Sequence, residues 1–328
     1  MPPFWRNLRQ RANWKSPAGK SVSYACSRPD RVYAQTIQPP LFLPMRLLLS
    51  LAVLMRPHQW LKNAFVFAGL VFSQSWQDGP LALKVLNAFA AFCCFSSLVY
   101  IINDWHDRAG DARHPVKRHR PLASGAVPPT AALVLAVALL AAGLWLAAGH
   151  RTLLLLLGLY LLLNLVYSWR LKQVPVVDVT LIASGFMLRL LAGTLAVGIA
   201  PSRWLLLAGL FIALFLGFSK RKAESFHAEA DQRAVLELYP PALLDIFMAV
   251  TMTATIMTYG LFATSPEAQL QHGERLVYTV PIVIFALLRY AYQVHRGHGE
   301  DVSRDLLRDP WILLALVVWL GVFLGRRF

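Results

Sequence analysis

Cysteine is scarce in this chain. Of its 328 residues only three are Cys. They are Cys26, Cys93 and Cys94; none forms a C-x-x-C pair, and two are adjacent inside an apolar run. This excludes a disulfide framework and a zinc site. Acidic residues are also few, 17 against 32 Lys and Arg, for a formal net charge of +15. In a soluble protein that imbalance would point to nucleic acid. Here the basic residues lie between apolar runs, so topology and anionic ligands explain them, and a nucleic-acid partner is not expected. Hydrophilicity is lacking overall: 57% of residues are hydrophobic and the mean hydropathy is +0.49. An ordinary soluble protein is excluded, and an all-α polytopic membrane protein is implied. There is no convincing tandem repeat of short period and no signal peptide, because the first apolar segment comes too late and no small-residue cleavage site follows it.

Residues 1–40 are rich in Pro and basic residues, with Asp30 the only acid. Residues 1–44 are read as a disordered basic extension ahead of a transmembrane domain 45–328, and Met45 is an alternative start. Residues 41–55 are apolar but interrupted by Pro44 and Arg46, which suits a short helix at the membrane interface. Nine candidate spans follow, at 60–77, 82–103, 130–148, 152–169, 175–197, 203–219, 241–263, 276–294 and 309–325. Each is near the length that crosses about 30 Å of hydrocarbon. Basic residues concentrate after the even-numbered spans: Arg108, Arg113, Lys117, Arg118 and Arg120; Arg170 and Lys172; Lys220, Arg221, Lys222 and Arg233; and Arg296, Arg304 and Arg308. The positive-inside rule places those loops in the cytoplasm, with Arg326 and Arg327 in minor dissent, and a bacterial-type inner membrane is the expected location.

The second span ends in Asn103-Asp104-Trp105-His106-Asp107-Arg108-Ala109-Gly110-Asp111. Asp104, Asp107 and Asp111 are spaced i, i+3, i+7, and Asn103 aligns with Asp107 and Asp111, so a continued helix puts them on one face. Three carboxylates on one stripe repel unless a cation sits among them. Oxygen ligands without His or Cys suit a hard ion, Mg²⁺ where a diphosphate shares the coordination. His106, His114 and His119 have no transition-metal pattern. Asp301, Asp305 and Asp309 alternate with Arg304 and Arg308 and read as a solvated, self-paired loop.

The N-D-x-x-D-x-x-x-D stretch at the exit of a second span resembles the first acidic motif of UbiA-type intramembrane prenyltransferases. More of the chain, from about residue 56 onward, is similar to the polyprenyl-phosphate phosphoribosyltransferase branch, which includes the decaprenyl-phosphate phosphoribosyltransferases. The stretches that carry this are Arg56-Pro-His-Gln-Trp60-Leu-Lys62-Asn63, Lys117-Arg118-His-Arg120-Pro-Leu-Ala-Ser-Gly125, Tyr167-Ser168-Trp-Arg-Leu-Lys172 with Asp178, and Ser219-Lys220-Arg221-Lys-Ala-Glu224. The resemblance implies nine helices around a cytoplasmic-side cavity. It also implies a Mg²⁺-dependent transfer of 5-phosphoribosyl from phosphoribosyl diphosphate to a polyprenyl phosphate in the bilayer. Members acting on aromatic acceptors carry a second acidic motif after span six. Here that segment is cationic, which suits a donor with an extra phosphate. The alternatives are a prenyltransferase with an aromatic acceptor, and a transporter or lipid scaffold without chemistry. A homo-oligomer is compatible with each.

The candidate residues carry competing roles. Asn103, Asp104, Asp107 and Asp111 are the expected metal face, with the three aspartates catalytic. Lys62 is a snorkelling lysine or, as the resemblance implies, a phosphate ligand; Arg56 reads as an interfacial anchor. Lys117, Arg118 and Arg120 form a cationic turn that serves topology or closes over a phosphate. Tyr167, Ser168, Arg170 and Lys172 are belt and topogenic residues or a sugar-phosphate site. Asp178 pairs with Lys172 or acts on substrate. Arg189 pairs with a carboxylate or holds the lipid phosphate. Lys220 and Arg221 neutralise the leaving diphosphate, and Glu224 is an i,i+4 partner of Lys220, a metal ligand or a ribose ligand.

Overall fold

The structure, a computed structural model, describes residues 42–169, 171–226, 238–299 and 302–325. The basic stretch 1–41, Arg170, Arg233, Asp301, Arg326 and Arg327 lie outside these residues. All regular structure among the described residues is helical. The principal helices are α1 (Phe42–Met55), α2 (Gly79–His106), α3 (Pro129–Leu146), α4 (Arg151–Trp169), α5 (Val177–Ala192), α6 (Arg203–Phe226), α7 (Pro241–Ala263), α8 (Val280–His295) and α9 (Pro310–Leu324). Proline occupies the first or second position of α2, α3, α7, α8 and α9, where its missing N–H costs nothing. Asp78 and Asp309 cap α2 and α9 with their carboxylates.

Among the described residues seven helices are long and apolar enough to cross a membrane. The first and last expected spans do not qualify. The last, α9, has 15 residues. The first, expected over 60–77, is a 3₁₀ helix, Pro57–Phe67, running into a short α-helix, Ala68–Phe72. A 3₁₀ helix rises about 2.0 Å per residue, so these 16 residues cover roughly 30 Å where an α-helix would cover about 24 Å. Its eclipsed i,i+3 spacing puts Trp60, Asn63 and Val66 on one face. Trp60 Nε1 donates to Ser97 Oγ at 3.0 Å, and Asn63 Nδ2 to Ser96 Oγ at 3.2 Å, both on α2.

Two of the apolar clusters in the core flank the site. One gathers Val66, Phe92, Phe95, Leu157, Tyr160 and Leu188; the other gathers Val179, Phe215, Phe218, Leu244, Met248 and Tyr290. Helix α5 contributes to both and so runs between them. Helix α2 is largely buried, whereas α3 and α4 turn apolar side chains outward, Trp145 at 77% and Leu155 at 74% exposure. Such uncovered apolar faces on long helices suit lipid contact.

The 3₁₀ segment meets the end of α5 backbone to backbone. A Cβ on Gly193 would lie 1.7 Å from the Val66 carbonyl oxygen. Gly193→Ala should therefore prevent folding or lower the melting temperature sharply, because the obstacle is main chain. Gly158→Ala in α4, where a Cβ meets nothing within 4 Å, should leave it unchanged or slightly raised. Thermal unfolding in detergent checks both. Equal melting temperatures for the two variants would disprove the close packing.

Helix α6 does not stop at residue 219 but continues to Phe226. Ser219–Glu224 is thus the end of a helix and not a loop. Arg221 and Glu224 pair at i,i+3 and Lys220 approaches Glu224 at i,i+4, contacts only a helix provides. The described part of the acidic stretch, 302–309, is not a solvated loop either: Val302–Arg308 is a short helix. Asp309 is 6% exposed, and Arg289 Nε and Nη2 each lie 2.9 Å from its Oδ2. Burial opposes its ionisation, but hydrogen bonds from Arg289, Gln293 and the N–H groups of Ile312 and Trp311 outweigh that and hold the carboxyl below its ordinary range.

Candidate active site

A cavity of ≈ 220 Å³ lies between α2, α4, α5, α6 and the 3₁₀ segment. Six of the expected residues line it: Lys62, Asn103, Tyr167, Arg189, Lys220 and Arg221. Val302 reaches it from the short helix Val302–Arg308. The charged groups around it form three sets with different electrostatics.

The deepest set centres on Arg189, 6% exposed. Its Nε donates to Asn63 Oδ1 at 2.7 Å, Nη1 to the Gly185 carbonyl at 2.8 Å and Nη2 to Tyr160 Oη at 3.0 Å. The guanidinium also stacks 4.7 Å from the Tyr160 ring centroid. Among the described residues it pairs with no carboxylate. Of the two readings of Arg189, the carboxylate pair is not the arrangement here: the groups it donates to are all neutral. A buried charge without a counter-ion is costly unless an anion arrives. Asn63 belongs to this set, and its role was not legible in sequence. A 3.6-residue period hides the face that 3₁₀ geometry gives it.

The second set centres on Arg221, fully buried. Its Nε lies 2.9 Å from Asp178 Oδ2, and its Nη1 donates to Glu224 Oε2. Asp178, also fully buried, accepts from Tyr239 Oη at 2.8 Å. Asp178 therefore does not pair with Lys172, which lies half-buried in the 3₁₀ turn Leu171–Gln173. Burial, then the bond to Asp178 and its charge, push the Tyr239 hydroxyl up to about 12, so it remains a donating phenol. No sequence signal marked Tyr239. Lys222 turns away, to Asp245 Oδ2 at 2.8 Å. The cations of 219–224 are thus substantially neutralised by carboxylates, and the idea that they supply net positive charge is corrected. Two of those partners, Asp178 and Asp245, are distant in sequence.

The third set is the acidic stripe. It does not line the cavity, although neighbouring Asn103 does. Helix α2 ends at His106, and Asp107 caps it at φ −83°, ψ −2° before the single turn Arg108–Asp111. Asp104 and Asp111 are 3% and 6% exposed, whereas Asp107 is half-buried. One atom, Arg120 Nη1, sits 3.3 Å from Asp104 Oδ1 and 2.6 Å from Asp111 Oδ2. Arg56, read as an interfacial anchor, instead lies 2.6 Å from Asp104 and over the Tyr100 ring. Asn103 accepts from Ser168 Oγ at 2.9 Å, tying α2 to α4. The cationic turn is organised by His114, whose Nδ1 accepts from the N–H groups of Val116 and Lys117. Lys117 is half-buried, and Arg118 is exposed beside His119.

Among the described residues no group of three His, Cys, Asp or Glu converges as a ready metal site. Two carboxylates do converge on one positive point, now Arg120 Nη1. That all-oxygen anionic pair fits a hard divalent cation.

Over residues 63–308 the sequence matches the UbiA prenyltransferase family. The chain belongs to that family. The match runs from Asn63, which fixes Arg189, to Arg308. Decaprenyl-phosphate phosphoribosyltransferase of Mycolicibacterium smegmatis is 33% identical over 306 residues, 88% of this chain and 95% of that protein. The Corynebacterium glutamicum protein of the same name is 36% identical over 280 residues, 81% and 82% of the two chains. A solved UbiA homologue from Archaeoglobus fulgidus, bound to GPP and Mg²⁺, superposes with a TM-score of 0.61 at 20% identity, over 84% of this chain and 98% of that one. This UbiA-family chain is accordingly an integral membrane protein, its helices arranged as in that fold.

Proposed function

We propose that this UbiA-family protein transfers a 5-phosphoribosyl group from phosphoribosyl diphosphate to the phosphate of a polyprenyl phosphate, releasing diphosphate. The observation that carries the reading is Arg189: a buried cation at the cavity wall, held by neutral acceptors and aromatic rings, awaiting an anion. Two relatives at 33% and 36% identity bear the matching name.

The anomeric C–O bond breaks with oxocarbenium character, so the barrier is charge build-up on the departing diphosphate. Asp104 and Asp111 would hold Mg²⁺, which when bound neutralises that charge. Arg189 orients a phosphate through directed N–H bonds, and Lys62 adds a second cation on the same cavity wall. The acceptor phosphate is already ionised, so no general base is needed. The apolar helix faces accommodate the isoprenoid tail in the bilayer. By the positive-inside rule the reaction faces the cytoplasm.

Purified protein with Mg²⁺, phosphoribosyl diphosphate and decaprenyl phosphate should release diphosphate and form a phosphoribosylated lipid. EDTA should stop the reaction. In sealed right-side-out vesicles, donor supplied only from outside should not be used. Transfer of a prenyl group from prenyl diphosphate to an aromatic acceptor, with none from phosphoribosyl diphosphate, would reverse the assignment.

A further inference from the structure

We propose that Arg221, which lines the cavity, and Glu224, paired with it, form a sugar-hydroxyl subsite, backed by Asp178 and Tyr239. The inference rests on the phosphoribosyl reading and assigns the two cationic poles to different parts of the donor.

Phosphate oxygens only accept hydrogen bonds and carry negative charge. They suit Arg189, whose neighbours include no carboxylate. The Arg221 pole differs. Lys220 and Arg221 meet Asp178 and Glu224, so the formal charges cancel, and Glu224 would repel a phosphate placed beside it. A hydroxyl both donates and accepts, and is neutral. This pole offers both functions side by side. Arg221 Nη2 is buried with no hydrogen-bond partner among the described residues, a donor left over. Glu224 is 18% exposed, and Lys220 Nζ stands 3.9 Å from its Oε1, beyond hydrogen-bonding range. A buried donor without a partner is costly unless a ligand completes it.

The support comes from behind. Glu224 accepts from Nη1, and Asp178 Oδ2 lies 2.9 Å from Nε as an ion pair without hydrogen-bond geometry, so opposite charge flanks the guanidinium on two sides. Tyr239 Oη fixes Asp178 and also accepts the N–H of Val176. Val176 adopts φ +67°, an unusual conformation for a β-branched residue. Such a backbone persists where its surroundings over-determine it, and Tyr239 is one such constraint. Tyr239 is thus a positioning residue, acting through Asp178 on Arg221.

The test compares phosphoribosyl diphosphate with its 2-deoxy and 3-deoxy analogues. A site that hydrogen-bonds a hydroxyl rejects the analogue lacking it, here by on the order of 100-fold or more in kcat/KM for at least one analogue. Glu224→Gln should reduce that preference to below about tenfold. Tyr239→Phe should reduce it in the same direction, and the double variant should discriminate no less than Glu224→Gln alone. If the pole bound phosphate instead, Glu224→Gln would lower KM for the donor and leave the preference intact, which overturns the proposal. Should Glu224→Gln fail to fold, Tyr239→Phe, which removes one hydroxyl, carries the same comparison. A wild type that transfers nothing from phosphoribosyl diphosphate removes the functional reading and the subsite together. A wild type that transfers, with discrimination untouched in the variants, removes the subsite alone.

Discussion

Asp111→Asn is expected to lower phosphoribosyl transfer by at least about 1,000-fold while the protein still folds. The prediction follows from the arrangement of two carboxylates and one guanidinium. Arg120 Nη1 touches both Asp104 and Asp111. A cation at that point is favoured by both negative charges, and a divalent ion would gain more from the pair than a monovalent guanidinium does. Asparagine keeps the shape and one acceptor oxygen but removes the charge, so the ion is lost. Arg120 keeps Asp104 as a partner, and Arg56 still holds Asp104 from the other side. Asp104→Asn is the poorer experiment, because it leaves two arginines short of an anion at once and puts the fold at risk. The measurement is turnover against Mg²⁺ concentration, with thermal unfolding as control. Turnover within a few-fold of wild type at ordinary Mg²⁺ would remove the acidic pair from the mechanism.

Arg189→Met should have an effect of similar size, about 100- to 1,000-fold in kcat/KM, judged by what loss of one charge-directed donor set costs elsewhere. Methionine keeps an unbranched apolar stem, but Asn63, Gly185 and Tyr160 lose their donor, so stability will fall as well. Arg189→Lys separates the two effects. It keeps the charge and loses the fork that reaches Asn63 and Tyr160 together. The lysine variant should fold near the wild-type temperature and fall between methionine and wild type in activity. If Arg189 were only a packing element, a folded methionine variant would retain turnover. That result would leave the cavity without its uncompensated cation and withdraw the main support for a phosphate there.

Arg189 and Arg221 show why sequence takes the argument only part of the way. Both are buried arginines on helices that line the cavity, and both were candidates for phosphate contact. What separates them is the neighbours. Arg221 is met by Asp178, 43 positions upstream on another helix, and by Glu224 on its own. Arg189 is met by Asn63, 126 positions upstream, and by Tyr160. Only the i,i+3 pair of Arg221 with Glu224 is local enough to be read from spacing.

Hydropathy by itself determined that this is a helical membrane chain, because apolar segments of bilayer length leave the backbone no other way to satisfy its hydrogen bonds. Charge spacing by itself picked out the acidic stretch at the end of α2 and the cationic segments as the places where chemistry would gather. The tertiary structure alone decided which cations are neutralised and which are not. It also turned the first expected span into a stretched 3₁₀ helix, since backbone contact at Gly193 and hydrogen bonds to α2 override the local period. The physical reason is common to both. Spacing along one helix constrains which of its own residues share a face, but the counter-charge opposite that face comes from another helix, and only packing brings it there.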